Sequence, residues 1–117
     1  MVTKLENNSE YLQYISKAMI NKFSEWSESN VSYLIEPNNN FQISFVKDEY
    51  NIEFIKDKGL LEFKLYFKNE PIRLGYFHYN EILQKIPEQD KKWRFSICTE
   101  LIDYYMSFIE KYFIRIS

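Results

Sequence analysis

The spacing of apolar residues changes twice along this chain. Over residues 9–28 apolar side chains recur every three or four positions, which predicts an amphipathic helix. Over residues 31–79 they alternate with polar side chains in five runs, which is typical of half-buried strands. The five runs cover residues 31–35, 41–45, 50–54, 61–67 and 72–76. The middle of the chain is therefore predicted to form a sheet.

Short polar segments rich in Asn, Asp, Lys and Glu separate the five runs. Connections this short favour antiparallel hairpins, because a parallel crossover needs about a dozen residues or more. When inward-facing residues are set opposite one another, three cross-strand pairs follow. They are Phe45 with Tyr50, Ile52 with Phe63, and Leu65 with Leu74.

Helical spacing returns after the sheet. Residues 80–86 are predicted to form a short helix that Asn80 caps and Pro87 ends. Residues 88–115 are predicted to form a long terminal helix with one apolar face. We therefore expect an α+β fold in one domain, residues 1–117: a five-stranded antiparallel meander with an N-terminal helix and C-terminal helices packed on one face.

Composition and charge exclude several classes of protein. The 117 residues are 45% hydrophobic and 19% aromatic, which suffices for one densely packed core. A net charge of −2 argues against a nucleic-acid-binding protein, which needs a concentrated positive field. No apolar run is as long as a membrane span, and none follows Met1 as in a secretory leader. The single cysteine, Cys98, excludes an intramolecular disulfide, and we expect a cytoplasmic protein with no membrane partner.

Few residues have the chemistry for catalysis. His78 is the only histidine and falls at the end of the predicted fifth strand, with no second histidine or cysteine near it in sequence. Cys98 falls inside the predicted terminal helix beside Ile97, where burial as a small apolar residue is expected. The chain has no phosphate-binding glycine loop, dinucleotide-binding motif or zinc-protease motif. We therefore expect a protein that is not an enzyme and uses no cofactor and no metal.

Two acids stand out on the predicted outward face of the sheet. The expected register places Glu53 opposite Glu62, and like charges at such positions cost free energy unless something compensates them. Tyr66 and Arg73 are expected to be neighbours on the same face, and both residue types are common in protein interfaces. A solvated surface of mixed charge explains these residues, and so does a docking surface for a basic partner. Acid–base catalysis by the two carboxylates would need a cleft, and no cleft-forming loop is evident. The candidate partner-binding residues are Asp48, Glu49, Glu53, Glu62, Tyr66 and Arg73.

Three features of the chain belong to one style of protein: alternating strands over residues 31–79, helices on both sides of them, and the acids Asp48, Glu49, Glu53 and Glu62. In that style the whole chain resembles the bacterial toxin-immunity proteins of contact-dependent growth inhibition systems. The resemblance implies a protein that neutralises a cognate toxin, often a nuclease, by binding it directly. Nuclease toxins tend to be basic, so an acidic surface would steer the association. We expect a monomer or weak homodimer.

Two other functions fit the same pattern. A small-ligand-binding α+β domain would enclose an apolar cavity between a curved sheet and the long helix, with His78 or Tyr79 as polar groups. A type III-like secretion chaperone would dimerise and wrap a segment of an effector. An unfilled interior would favour the first of these, and a stable dimer would favour the second.

Overall fold

The computed structural model describes residues 2–34, 40–73, 75–86, 89 and 95–116, with the backbone alone at 30–34, 75–79 and 114–116. Within these residues the elements are, in chain order, α1 (Asn8–Lys22), β1 (Ser27–Leu34), β2 (Asn40–Lys47), β3 (Tyr50–Asp57), β4 (Leu60–Phe67), β5 (Glu70–Ile72), α2 (Gly75–Lys85), β6 (Phe95–Ser96) and α3 (Thr99–Ile116). This architecture confirms the predicted α+β class, with a helix before the sheet and helices after it.

The first five strands form the predicted meander. Each strand pairs antiparallel with the next, in the order β1 to β5. In the β3–β4 turn, Lys58 and Gly59 have φ angles of 54° and 78°. In the β4–β5 turn, Lys68 and Asn69 have φ angles of 52° and 67°. Two successive positive φ angles give the tight two-residue turn that matches the twist of a hairpin.

The register differs from the prediction by two residues in each of three hairpins. Each turn is centred one residue away from the predicted position, because Gly59, Asn69 and Asp48 take the positive φ angles that these turns require. A shift of two residues leaves every side chain on its predicted face. The pairs found are Phe45–Ile52, Ile52–Leu65 and Leu65–Ile72, in place of the predicted Phe45–Tyr50, Ile52–Phe63 and Leu65–Leu74.

A sixth strand, which the sequence did not predict, shares one edge of β4 with β5. β5 pairs with β4 from Leu65 onward, whereas β6 pairs with Leu60 and Leu61 at the other end of that edge. The side-chain amide of Gln89 binds the backbone of Ser96 as a neighbouring strand would. Its Nε2 donates to the Ser96 carbonyl at 2.7 Å, and its Oε1 accepts from the Ser96 N–H at 2.9 Å.

The helices pack on one side of the sheet, which we call the inner face. Its buried residues are Phe41, Ile43, Phe45, Ile52, Phe54, Leu61, Phe63 and Leu65. The Tyr105 ring of α3 stacks on Phe63, with centroids 4.7 Å apart and ring planes 14° apart. Ile15 and Met19 of α1 are buried in the same core. Aromatic stacking of this kind adds to the stabilisation from hydrophobic burial.

Polar contacts fix the two long helices to each other and to the start of the chain. The Tyr14 hydroxyl of α1 donates to the Asp103 carboxylate of α3 at 2.6 Å. The Thr3 carbonyl accepts from the Thr99 N–H at 2.9 Å, and the Thr3 N–H donates to Glu100 Oε1 at 2.7 Å. The hydrogen bond from Thr3 lowers the pKa of Glu100. The first residues therefore cap α3 at its N-terminal end.

The first helix and the first strand differ from the predicted elements. α1 ends at Lys22 rather than at residue 28, because the chain turns there. The Phe23 N–H donates a hydrogen bond to the Met19 carbonyl at 2.8 Å, and the Trp26 N–H donates one to the Phe23 carbonyl at 3.0 Å. Residues from Ser27 onward are consequently free to enter β1.

The segment after the meander also differs from the prediction. β5 ends at Ile72, and Gly75–Lys85 is helical, so the expected strand through residue 76 is wrong. Ile82 and Ile86 are both buried, and their spacing of four residues is that of a helix. α3 begins at Thr99 rather than at residue 88. Residues 35–39, between the first two strands, and residues 88 and 90–94 of the predicted terminal helix lie outside the described residues.

Candidate protein-binding surface

The sheet has a second side, which we call the outer face, turned away from α1 and α3. Its side chains on the three central strands are Gln42, Ser44, Val46, Asn51, Glu53, Ile55, Glu62, Lys64 and Tyr66. The strand residues that contact the helices are those of the inner face. They alternate along each strand with the outer-face residues, because neighbouring side chains in a strand point to opposite faces. The outer face therefore lies away from α1 and α3; on it Ser44 is buried and the other eight side chains are half-buried.

Glu53 lies at the centre of the outer face and is held on two sides. Its Oε2 accepts a hydrogen bond from Gln42 Nε2 on β2. On the other side the Tyr66 hydroxyl of β4 donates to the Glu53 carboxylate; burial, and then this hydrogen bond, raises the pKa of Tyr66. Both donors are neutral, so these two contacts fix the Glu53 side chain without bringing a positive charge to it.

Glu53 and Glu62 are not the cross-strand pair that the sequence predicts. Glu53 lies opposite Lys64, and Glu62 lies opposite Ile55. Lys64 Nζ pairs with Glu62 Oε1 at 3.8 Å along the same strand. The repulsion expected between opposed carboxylates is therefore avoided by the register.

Apolar side chains accompany these acids, and sequence analysis did not single them out. Val46 and Ile55 lie on the outer face with Tyr66. The signal in the sequence is two pairs of successive apolar residues, 45–46 and 54–55, in strands that otherwise alternate. Asn51 lies between Val46 and Tyr66, and its buried Oδ1 has no hydrogen-bond partner among the described residues. Apolar centres mixed with polar groups are typical of protein-binding surfaces.

The remaining candidate residues lie elsewhere. Asp48 and Glu49 form the exposed β2–β3 turn at one end of the sheet. Arg73 is exposed just after β5, and the predicted Tyr66–Arg73 pair is wrong, because Tyr66 lies opposite Pro71. The structure thus brings together Glu53, Glu62 and Tyr66, whereas Asp48 and Glu49 lie in a turn and Arg73 lies just past the end of β5.

The residues considered for catalysis do not form a site in the described part of the chain. Cys98 is buried as predicted, and burial raises the pKa of its thiol, which disfavours the nucleophilic thiolate. His78 falls in α2 rather than at the end of a strand, and its side chain lies outside the described residues. Among the described residues, no three His, Cys, Asp or Glu side chains cluster as metal ligands would. No helix in the described ranges has the length and apolar character needed to cross a membrane.

Comparison with known proteins adds no relative from which to transfer a function. No protein-family model, no curated protein and no solved structure matches the chain significantly.

Proposed function

We propose that this chain is a non-catalytic inhibitor, an immunity protein that neutralises a bacterial toxin in the cytoplasm by binding it directly. The observation that supports the proposal is the Glu53 carboxylate, fixed between Gln42 and Tyr66 on the outer face of the sheet. In this proposal the outer face covers a basic surface of the toxin, which is a nuclease.

A fixed carboxylate suits the recognition of a basic partner. An ionised carboxylate has about four lone-pair sites, so two hydrogen bonds leave room for an arginine or lysine of the partner. Because Gln42 and Tyr66 already hold Glu53, little side-chain entropy remains to be lost on binding. Enzymes that cleave nucleic acids need positive surfaces for phosphate, so an acidic face would also steer their approach.

The surroundings of Glu53 support the same proposal. Val46, Ile55 and Tyr66 offer apolar area around the charge, and burial of such area contributes most of the free energy of association. Behind the sheet, the Tyr105 ring of α3 stacks on Phe63 of β4 and so supports this face from its inner side.

The test is a calorimetric titration of the chain with the toxin-like product of the neighbouring reading frame. The double variant Glu53→Lys, Glu62→Lys should bind more than about tenfold more weakly, which is a loss of about 1.4 kcal/mol. The matched control is Glu6→Lys, Glu110→Lys, which changes the net charge equally at two exposed positions away from the outer face. Circular dichroism of each variant confirms that the fold is intact.

Each outcome decides a different part of the proposal. Loss of affinity in the outer-face variant alone supports the proposed interface. Equal affinity in both variants moves the interface elsewhere, and the turn at Asp48 and Glu49 is then the next surface to change. Absence of binding to any neighbouring toxin-like protein contradicts the proposed function, and a stable dimer that binds an unfolded effector segment would identify a secretion chaperone instead.

A further inference from the structure

A cluster of aromatic rings lies at the end of the sheet that carries the β2–β3 and β4–β5 turns. We call it the end patch; its residues are Tyr50, Phe67, Phe108, Tyr112 and Phe113. Ring centroids are 4.7 Å apart for Tyr50 and Phe67 and 4.9 Å apart for Tyr50 and Phe113. The rings thus form one continuous apolar surface from β3 and β4 to the last turns of α3.

The end patch is open to solvent at Phe67. Ile20 and Phe67 are the most exposed large apolar side chains among the described residues, and Phe67 is 36% exposed. Tyr50, Tyr112 and Phe113 are half-buried around it. Aromatic side chains that combine partial exposure with dense packing are frequent anchors in protein interfaces.

The two turns beside Phe67 are joined to each other. The Lys68 N–H donates to the Glu49 carbonyl at 2.9 Å. The Lys68 ammonium lies 5.4 Å from the centroid of the Phe67 ring and 3.7 Å from Glu49 Oε2. An aromatic ring and a carboxylate therefore already hold one cation between them.

This cation is held weakly. The side chains of Lys68 and Glu49 are 62% and 59% exposed, so water screens their attraction. Asp48 and Glu49 are exposed in the β2–β3 turn, and Glu70 is exposed at the first residue of β5. Lys47 is paired with Glu25 at 2.9 Å and does not offset them. The aromatic end patch is consequently bordered by acidic residues.

We propose that the end patch is a docking site for an arginine side chain of a protein partner, which stacks on Phe67 and pairs with Glu49 in place of Lys68. Arginine suits this site better than lysine, because its guanidinium is planar, weakly hydrated and able to bond a carboxylate through two N–H groups. Tyr50 and Phe67 lie on the inner face, in line with Ile52 and Leu65, so this proposal does not depend on the proposed toxin interface on the outer face.

The experiment is a nuclear magnetic resonance titration of the whole chain with acetyl-arginine-methylamide. We expect saturable shifts of the Phe67 ring protons and of the Glu49 and Lys68 amides. The uncharged isostere acetyl-citrulline-methylamide should not produce them. Phe67→Leu should abolish the shifts by removing the aromatic face, and Glu49→Gln should weaken binding by removing the charge, whereas Glu6→Gln should not.

The sharpest test is the removal of the competing lysine. Lys68→Met should tighten binding of the arginine probe by about threefold, because it frees the ring and the carboxylate together. Lys58→Met is the matched control: Lys58 has the same left-handed backbone and the same charge, in the turn at the opposite end of the sheet.

Three results would overturn the proposal: equal tightening by Lys68→Met and Lys58→Met, equal shifts with the citrulline probe, or no saturable shift at Phe67. Any of these would leave the outer-face titration unaffected, since that experiment changes different residues.

Discussion

Glu53 and Lys64 lie directly opposite one another on β3 and β4, yet Lys64 pairs with Glu62 on its own strand. Glu53 is bound instead by two neutral side chains, those of Gln42 and Tyr66. The outer face therefore contains a negative charge with fixed geometry at its centre.

Replacement of Glu53 by Gln should lower the pKa of Tyr66. Burial is the largest cause of the raised pKa of Tyr66, and the hydrogen bond to Glu53 and its charge come next. Removal of the charge should bring the pKa down, but it should stay above its ordinary value because the burial is unchanged. The titration of carbon-labelled tyrosine followed by magnetic resonance measures this pKa. Glu62→Gln should have a smaller effect, since Glu62 acts on Tyr66 through its charge alone.

Truncation of Phe54 should destabilise the protein strongly. Phe54 is fully buried, with its ring 5.3 Å from that of Phe63 and 6.4 Å from that of Tyr105. Phe54→Ala should reduce the free energy of unfolding by about 3–5 kcal/mol, as expected for a large cavity in a core. Urea denaturation measures the change. Ile20→Ala, at a residue that is 65% exposed, should change stability by less than about 0.5 kcal/mol.

Stability should fall in alkaline solution in a way that depends on Tyr14. Burial and the hydrogen bond to Asp103 raise the pKa of Tyr14 from 10.0 to about 12. The unfolded chain therefore loses the tyrosine proton first, so this contribution is complete below about pH 10 and is lost by about pH 12. Denaturation midpoints measured across this range should fall less steeply for Tyr14→Phe than for the unchanged chain. Parallel curves would contradict the predicted linkage.

Removal of the Gln89 side chain should release β6. Gln89 makes two hydrogen bonds to the backbone of Ser96 at a buried position. Gln89→Ala should reduce the free energy of unfolding by about 1–3 kcal/mol, because buried backbone groups lose their partner. Hydrogen exchange at the Ser96 amide should become faster at the same time. Gln84→Ala, at an exposed position of α2, is the matched control and should leave this exchange unchanged.

Alternation of apolar and polar residues was sufficient to predict the sheet and the face of each central side chain. Phe45, Ile52 and Leu65 all point into the core as expected. The exact partners were not predictable, because the turn centres depend on which residues accept positive φ angles. Of the described residues with positive φ only Gly59 is a glycine, and the other four are Asp48, Lys58, Lys68 and Asn69.

The same limit applies to the candidate surface. The alternation of side chains along β3 was enough to place Glu53 on the outer face. Its contacts with Gln42 and Tyr66 depend on the register between strands, which the alternation does not give. The strand Phe95–Ser96 was missed because a strand of two residues has no periodicity of its own. Its pairing comes from contacts with Leu60 and Leu61, more than thirty residues earlier.

The position of α3 after every strand has a consequence for synthesis of the protein. Turns of two residues allow β2 to β5 to pair as soon as they leave the ribosome, since each contact is local in sequence. The ring of Tyr105, which covers Phe63 and Phe54, is made about forty residues later. Until Tyr105 is made, the side chains of Phe54 and Phe63 consequently lack this cover. The nascent chain is then most prone to aggregate or to need a chaperone.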